Sequence, residues 1–135
     1  MEKSTFVMDV DHTICVAPKD GETGTYDYVN AKPIVPVIEK LKALKEQGHR
    51  IVLNTSRGMR TYRGDVKKIA ENVLPTLTDW LNRYEVPYDE IHIGKPWGPN
   101  VYYIDDKAMS PKQFIDSENF SDVIKKNLID IEWKL

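Results

Sequence analysis

Four short apolar runs each end in a polar group with useful chemistry, and this recurrence is what most constrains the fold. Thr5-Phe6-Val7-Met8 leads into Asp9-Val10-Asp11-His12-Thr13, and Arg50-Ile51-Val52-Leu53-Asn54 into Thr55-Ser56-Arg57. Ile91-His92-Ile93-Gly94 leads into Lys95-Pro96, and Val101-Tyr102-Tyr103-Ile104 into Asp105-Asp106. The first run is apolar enough to read as a strand buried on both faces. Parallel α/β sheets present ligands at the carboxyl ends of their strands. Two acidic pairs, a hydroxyl and an ammonium brought to one sheet mouth make a site for a divalent cation and a phosphoryl group. The plainer reading of the first pair is a strand-ending turn with solvated aspartates, since Asp is a common turn former.

Helical patterns lie between the runs. Pro33 and Pro36 open one that carries Val37, Ile38, Leu41 and Leu44 at helical spacing, and Gly48 ends it. A second runs from Tyr62 to Tyr84, with Val66, Ile69, Val73, Leu77 and Leu81 on one stripe. Pro75 interrupts it and pushes Leu74 away from the helical region, which predicts a kink or two abutting helices. A last stripe, Phe120, Ile124, Leu128 and Ile131, belongs to a C-terminal helical segment over 111–135. Residues 12–32 break the pattern. Lys19-Asp20-Gly21-Glu22-Thr23-Gly24-Thr25 reads as a loop or hairpin with Tyr26, Tyr28 and Val29 on its returning arm, either a mobile flap or a passive surface feature. Strands alternating with helices predict a single α/β domain over 1–135, a doubly wound three-layer fold with a central parallel sheet. No insertion is large enough for a separate cap domain, which leaves at most a minimal flap.

Composition narrows the function classes. At 135 residues, 41% hydrophobic and 30% charged, the chain falls among soluble globular proteins of one domain. A net charge of −2 does not indicate a nucleic-acid-binding surface. The single Cys15 rules out an internal disulfide and fits a reducing compartment; it reads as a packing residue or a reactive thiol. Glu2 and Lys3 lead into a strand without a signal-peptide pattern, and no apolar stretch approaches the ~20 residues that span a bilayer. The expectation is a cytoplasmic protein with neither a membrane nor a nucleic-acid partner.

Asp9-Val10-Asp11-His12-Thr13 resembles the DxDxT signature of the haloacid dehalogenase superfamily of phosphatases. Thr55, Lys95 and Asp105-Asp106 match its later motifs in order, so the resemblance spans about residues 4 to 108. Short length, Thr55-Ser56-Arg57 and the Gly94-Lys95-Pro96-Trp97 segment further resemble small members assigned to capsular polysaccharide biosynthesis. The resemblance implies a Mg²⁺-dependent phosphatase of a small anionic phosphorylated metabolite, such as a sugar phosphate. In it Asp9 is the nucleophile that forms an aspartyl-phosphate, and Asp11 the proton donor and acceptor. Thr55 donates a hydrogen bond to the phosphoryl group, and Lys95 stabilises its charge. Asp9, the Asp11 carbonyl, Asp105 and Asp106 form a hard oxygen shell for Mg²⁺, with Asp106 the inner ligand. Capless members of the superfamily leave their sites open or close them by homo-oligomerisation. Trp133 and Leu135 mark a candidate contact surface for a second copy.

Several assignments stay open. Only nine residues separate Lys95 from Asp105, and ten extended steps cover roughly 33–36 Å. A descent and return of the sheet just fits, with no room for a helix; Lys67 or Lys68 is the alternative phosphoryl-binding lysine. His12 is either a turn residue with an unusual backbone or a substrate contact. Arg57, Arg60 and Arg63, placed with Ser56 beside the hydroxyl motif, either read a second anionic group on the substrate or form a solvated basic face. Trp97, Tyr102 and Tyr103 either stack on a sugar or base or pack in the core and rim. Two other functions compete: a receiver-like phospho-acceptor signalling module, and a catalytically silent binding protein of the same fold. The order of the motifs argues against the first, and the intact Asp9 and Asp11 against the second.

Overall fold

A computed structural model describes residues 2–128. The chain divides into two compact units, Met1–Val101 and Tyr102–Leu135. The first is a mixed α/β unit around a small parallel sheet. Strand β1 (Thr5–Met8) leads to a short antiparallel pair, β2 (Cys15–Val16) and β3 (Lys32–Pro33), and then to helix α1 (Val35–Glu46). Strand β4 (Arg50–Asn54), helices α2 (Val66–Asn72) and α3 (Leu74–Arg83), and strand β5 (Glu90–His92) follow. The sheet order is β1-β4-β5, all parallel, with Phe6 opposite Ile51 and Leu53 opposite Ile91.

Burial explains why these segments take these forms. Ile51, Val52 and Leu53 of the central strand are buried, as are Val37, Ile38, Leu41 and Leu44 of α1, which packs on that strand, and Leu77, Trp80 and Leu81 of α3. The i, i+3, i+4 spacing on each helix is what sends one stripe inward. Pro36 sits in the first turn of α1, and Gly48, at φ +89°, closes the helix by donating to Lys45 O at 2.9 Å. Trp80 is fully buried, and its indole N–H donates to Ala31 O at 2.9 Å, tying α3 to the strand pair.

Three expectations are corrected. Strand β1 is not buried on both faces: Val7 is 63% exposed, and among the described residues β1 pairs only with β4. Burial alternates along it, with Phe6 and Met8 on the covered face and Thr5 and Val7 on the open one, the period of a strand with one face packed. Leu74 is helical, and the break falls one residue earlier, at Val73. Pro75 stands in the first turn of α3, where its missing N–H would have no partner anyway, so the helix starts at Leu74 without loss. Val101–Ile104 is not a strand among the described residues, and Ile104 is 97% exposed. Its apolar composition matches strand chemistry, but the run straddles the boundary in the chain between the two units, and among the described residues it takes no strand form.

In the second unit α4 (Pro111–Asp116) starts with a capping box, in which Ser110 and Gln113 exchange side-chain and backbone hydrogen bonds. Helix α5 (Phe120–Leu128) follows, and Phe114 stacks on Phe120 at 5.6 Å. Ile131, Trp133 and Leu135 lie outside the described residues, as does the end of the segment expected over 111–135. Among the described residues no helix is long and apolar enough to cross a membrane.

Asp89 lengthens the ladder by one rung. Its carboxylate accepts the Ile51 N–H at 2.8 Å and pairs with Lys45, while its own N–H donates to Ile51 O at 2.8 Å. The Ile51 hydrogen bond, then Lys45, hold its carboxyl below the usual range. A depressed folded pKa stabilises the fold above the unfolded value of ~3.9 and loses that contribution as pH falls through the folded value. Asp89→Asn is expected to cost about 0.5–1 kcal/mol at pH 6, after allowing for solvent screening. The difference should shrink in denaturation curves taken below pH ~3.9.

Candidate functional site

The parallel ladder continues past its strands, and that continuation builds the site. Thr55 N–H donates to His92 O at 2.9 Å, and Lys95 N–H to Thr55 O at 3.4 Å. Thr55 and Lys95 therefore leave the ends of β4 and β5 side by side. Lys95 Nζ lies 3.5 Å from Asp9 Oδ1, just past β1. Lys67 and Lys68 are exposed in α2. Gly94, at φ +82°, turns the chain between His92 and Lys95, and a Cβ there would meet Val66 Cγ2 at 3.3 Å.

After β1 the chain makes a tight turn around the Val10 carbonyl, which accepts N–H groups from Thr13, Ile14 and Cys15. His12 occupies the left-handed region at φ +63°, a conformation costly for a side chain with a Cβ. The turn aims Asp9 and Asp11 apart. Asp9 is half-exposed, faces Lys95, and accepts from Thr13 Oγ1 at 3.5 Å. Asp11 faces Arg57, whose Nε donates to Oδ2 at 3.1 Å and Nη2 to Oδ1 at 2.8 Å.

This pair gives Arg57 a different place from the one its neighbourhood in the sequence suggests. Arg57 is 4% exposed and stacked over the Tyr28 ring at 4.1 Å. Its Nη1 is buried with no hydrogen-bond partner. Burial opposes the guanidinium charge, but the Asp11 hydrogen bonds and charge outweigh it and push the pKa above its ordinary value. Burial, then the Asp11 charge, push the Tyr28 phenol up as well. Thr55 is 1% exposed, and its Oγ1 accepts the Arg57 N–H at 3.1 Å, so this hydroxyl also shapes the loop that delivers Arg57.

Beside these residues opens a cavity of about 640 Å³ between the 17–28 hairpin and the 56–61 loop. Asp11, His12, Ser56, Arg57, Arg60 and Trp97 are in its wall; Asp9, Thr55, Lys95 and Arg63 are not. Arg63 is exposed at φ +49°. Sequence reasoning missed Lys19, Tyr26 and Tyr28, which also line the cavity. Lys19 pairs with Tyr26 across the hairpin, its Nζ 5.7 Å from that ring, and Tyr26 stacks on Tyr28 at 5.9 Å. The available signal was the i, i+2 spacing of the tyrosines, which puts them on one face of an extended arm.

The metal ligands expected from sequence divide between the units. Asp9 and Asp11 belong to the first and the exposed Asp105 and Asp106 to the second. Asp105 accepts the Lys107 N–H at 2.9 Å, which heads the causes that hold its carboxyl below the usual range. Among the described residues no cluster of three or more His, Cys, Asp or Glu is arranged as a metal site. The Asp9 carboxylate and the Asp11 backbone carbonyl are hard oxygens, and that donor set suits Mg²⁺. His49 is buried and structural: its Nδ1 accepts the Ser4 N–H at 3.0 Å and its ring meets Phe6 edge-on. His92 pairs with Glu90.

A mixed α/β unit with an acid–lysine pair and an acid–arginine pair at its strand ends is the class of protein that the fold and site define. A crystal structure of a protein from Vibrio cholerae, determined as a structural-genomics target, matches it with a TM-score of 0.81 at 38% identity. The match covers 92% of this chain and 98% of that one, so this chain belongs to the same family as the Vibrio cholerae protein. No family model and no curated protein matches.

Two outcomes follow from the buried cluster. Arg57→Ala leaves Asp11 without its cation and is expected to cost about 2–3 kcal/mol, scaled down from a fully buried pair because Asp11 is partly solvated. Adding Asp11→Asn should recover part of that loss in a double-mutant cycle; purely additive costs would show that the pair is not coupled. Cys15 is fully buried, and burial, then the Asp11 charge, raise its thiol pKa to about 12. A thiolate is the reactive form, so the native protein at pH 8 should resist a thiol reagent that labels it within minutes once unfolded.

Proposed function

We propose that this chain is a Mg²⁺-dependent phosphohydrolase of the haloacid dehalogenase type, acting on a small phosphomonoester in the cytoplasm. The reading includes a doubly wound three-layer arrangement around the parallel sheet. The observation that carries it is the Lys95 Nζ to Asp9 Oδ1 approach of 3.5 Å, beside a second acid held by its own cation. Phosphate monoesters repel nucleophiles, so a site needs a carboxylate presented next to positive charge.

Asp9 attacks phosphorus, the bond to the ester oxygen breaks, and an aspartyl-phosphate forms. The leaving oxygen takes a proton from Asp11. Water then attacks the phosphoenzyme and gives its proton to Asp11, releasing phosphate and restoring Asp9. Lys95 offsets the charge on Asp9 and on the phosphoryl oxygens. Arg57 holds both Asp11 oxygens, which fixes the direction in which that carboxyl faces. Mg²⁺ would be held by Asp9 and the Asp11 carbonyl, and would supply further neutralisation of phosphoryl charge. The sequence likeness to capsule-biosynthesis phosphatases supports a sugar phosphate as substrate.

Asp9→Asn is expected to abolish turnover of every phosphoester, and a chelator to abolish it until Mg²⁺ is restored. Asp11→Asn should slow alkyl phosphates by roughly 10²–10⁴-fold, the usual worth of positioned proton transfer. An activated ester such as p-nitrophenyl phosphate leaves unaided, so this variant should give a burst of nitrophenol, then slow turnover. Mass spectrometry should then find phosphate on Asp9; phosphate on another residue, or a uniform rate loss without a burst, would sink the assignment.

A further inference from the structure

The 640 Å³ cavity adjoins the reacting groups without containing them. It shares Asp11 with the proton-transfer machinery and leaves Asp9 and Lys95 outside its wall. A chamber in that position receives the part of a substrate beyond the leaving oxygen. Its size is within the range of small-molecule sites, which run about 300–1,000 Å³.

The charge of its wall is specific. Lys19, Arg57 and Arg60 contribute three positive charges and Asp11 one negative, in a chain whose net charge is −2. Arg57 is matched by Asp11. Among the described residues neither Lys19 nor Arg60 makes an ion pair with a carboxylate. Two cations therefore face this space beyond what the phosphoryl group, beside Lys95, requires. Lys19, Tyr26, Tyr28 and Arg57 form a continuous ladder of cation, ring, ring and cation along one side. Lys19 Nζ, 5.7 Å from the Tyr26 ring, is the cation that the hairpin contributes to the wall. Trp97, 43% exposed, gives the cavity an apolar ring surface of the kind that covers one face of a sugar.

Resting on the phosphatase reading above, we propose that the substrate is a phosphorylated sugar-sized metabolite with a second anionic group, which Lys19 and Arg60 bind in this chamber while Trp97 covers its ring or chain. Arg57 then acts as a positioning residue that fixes Asp11 and anchors the ladder. Lys19 is a specificity residue that the motif pattern does not reveal.

The test uses the full chain carrying Asp9→Asn, so that binding is read without turnover. Calorimetry compares glucose 6-phosphate with 6-phosphogluconate, whose second anionic group is a carboxylate, and fructose 1,6-bisphosphate, whose second anionic group is a phosphate. At least one probe with a second anionic group should bind about tenfold tighter or more, the yield of one charge-assisted hydrogen bond. Which one does so identifies the second group. In the same background Lys19→Gln and Arg60→Gln should each bring the ratio of Kd values toward one. Equal affinity for all three probes, or a ratio that neither variant changes, overturns the proposal. Hydrolysis of p-nitrophenyl phosphate by the wild-type protein is followed in parallel. Turnover without a charge preference defeats this inference alone; a charge preference without turnover defeats the phosphatase reading alone.

Discussion

The bidentate contact between Arg57 and Asp11 is the interaction on which the rest of the site depends. It joins residues 46 positions apart, one past β1 and one past β4, and so fixes the geometry of two strand ends at once. The backbone ladder sets those ends a strand spacing apart, but it does not decide where their side chains point. Arg57 does that for Asp11 by turning its carboxylate away from Asp9. Two aspartates one residue apart would otherwise repel each other. Here each has its own cation, Lys95 for Asp9 and Arg57 for Asp11. A single early acidic pair thus becomes two electrostatically separate groups, the condition for giving them different work.

That pair also determines what covers it. A guanidinium at 4% exposure needs a roof, and the hairpin supplies one through Tyr28. Trp80, hydrogen-bonded to Ala31, holds the base of that hairpin against α3. The hydrophobic core, the strand-end turn and the cavity wall are therefore linked through a few residues. The orphaned Nη1 of Arg57 is the residual cost of the arrangement, since a buried donor without a partner is a penalty that natural folds keep rare.

Much of this was legible in the sequence for local reasons. Apolar runs ending in Asp9, Thr55 and Lys95 marked the strand ends, because polar groups directly after a buried strand have few other places to go. Helix α1 was legible from its spacing and from Pro36 and Gly48, and the break near Pro75 from the missing N–H. Periodicity reports composition and not neighbours, so it could not show that Val7 on β1 is open to solvent, or that Val101–Ile104 takes no strand form among the described residues. The partner of Arg57 had no local signature either. Its position among Arg60 and Arg63 suggested either a reader of a second anionic group or a solvated basic face; in the structure Arg57 and Arg60 both line the cavity, Arg57 buried against Asp11, and Arg63 is exposed and outside its wall.

The exposed run Val101–Ile104 gives the acidic pair beside it a second duty. Four consecutive residues of high β propensity, with Ile104 almost fully in solvent, are the kind of segment that stacks against identical copies of itself. Charges flanking such a segment act as gatekeepers, because in-register stacking would bring like charges together at each layer. Asp105 and Asp106 hold that position directly after the run. Removing their charge to probe metal binding therefore also removes a guard against aggregation. A variant at either residue that comes out of solution has lost colloidal protection, which differs from a failure of chemistry, and only its soluble, monodisperse fraction tests whether these aspartates serve the proposed activity.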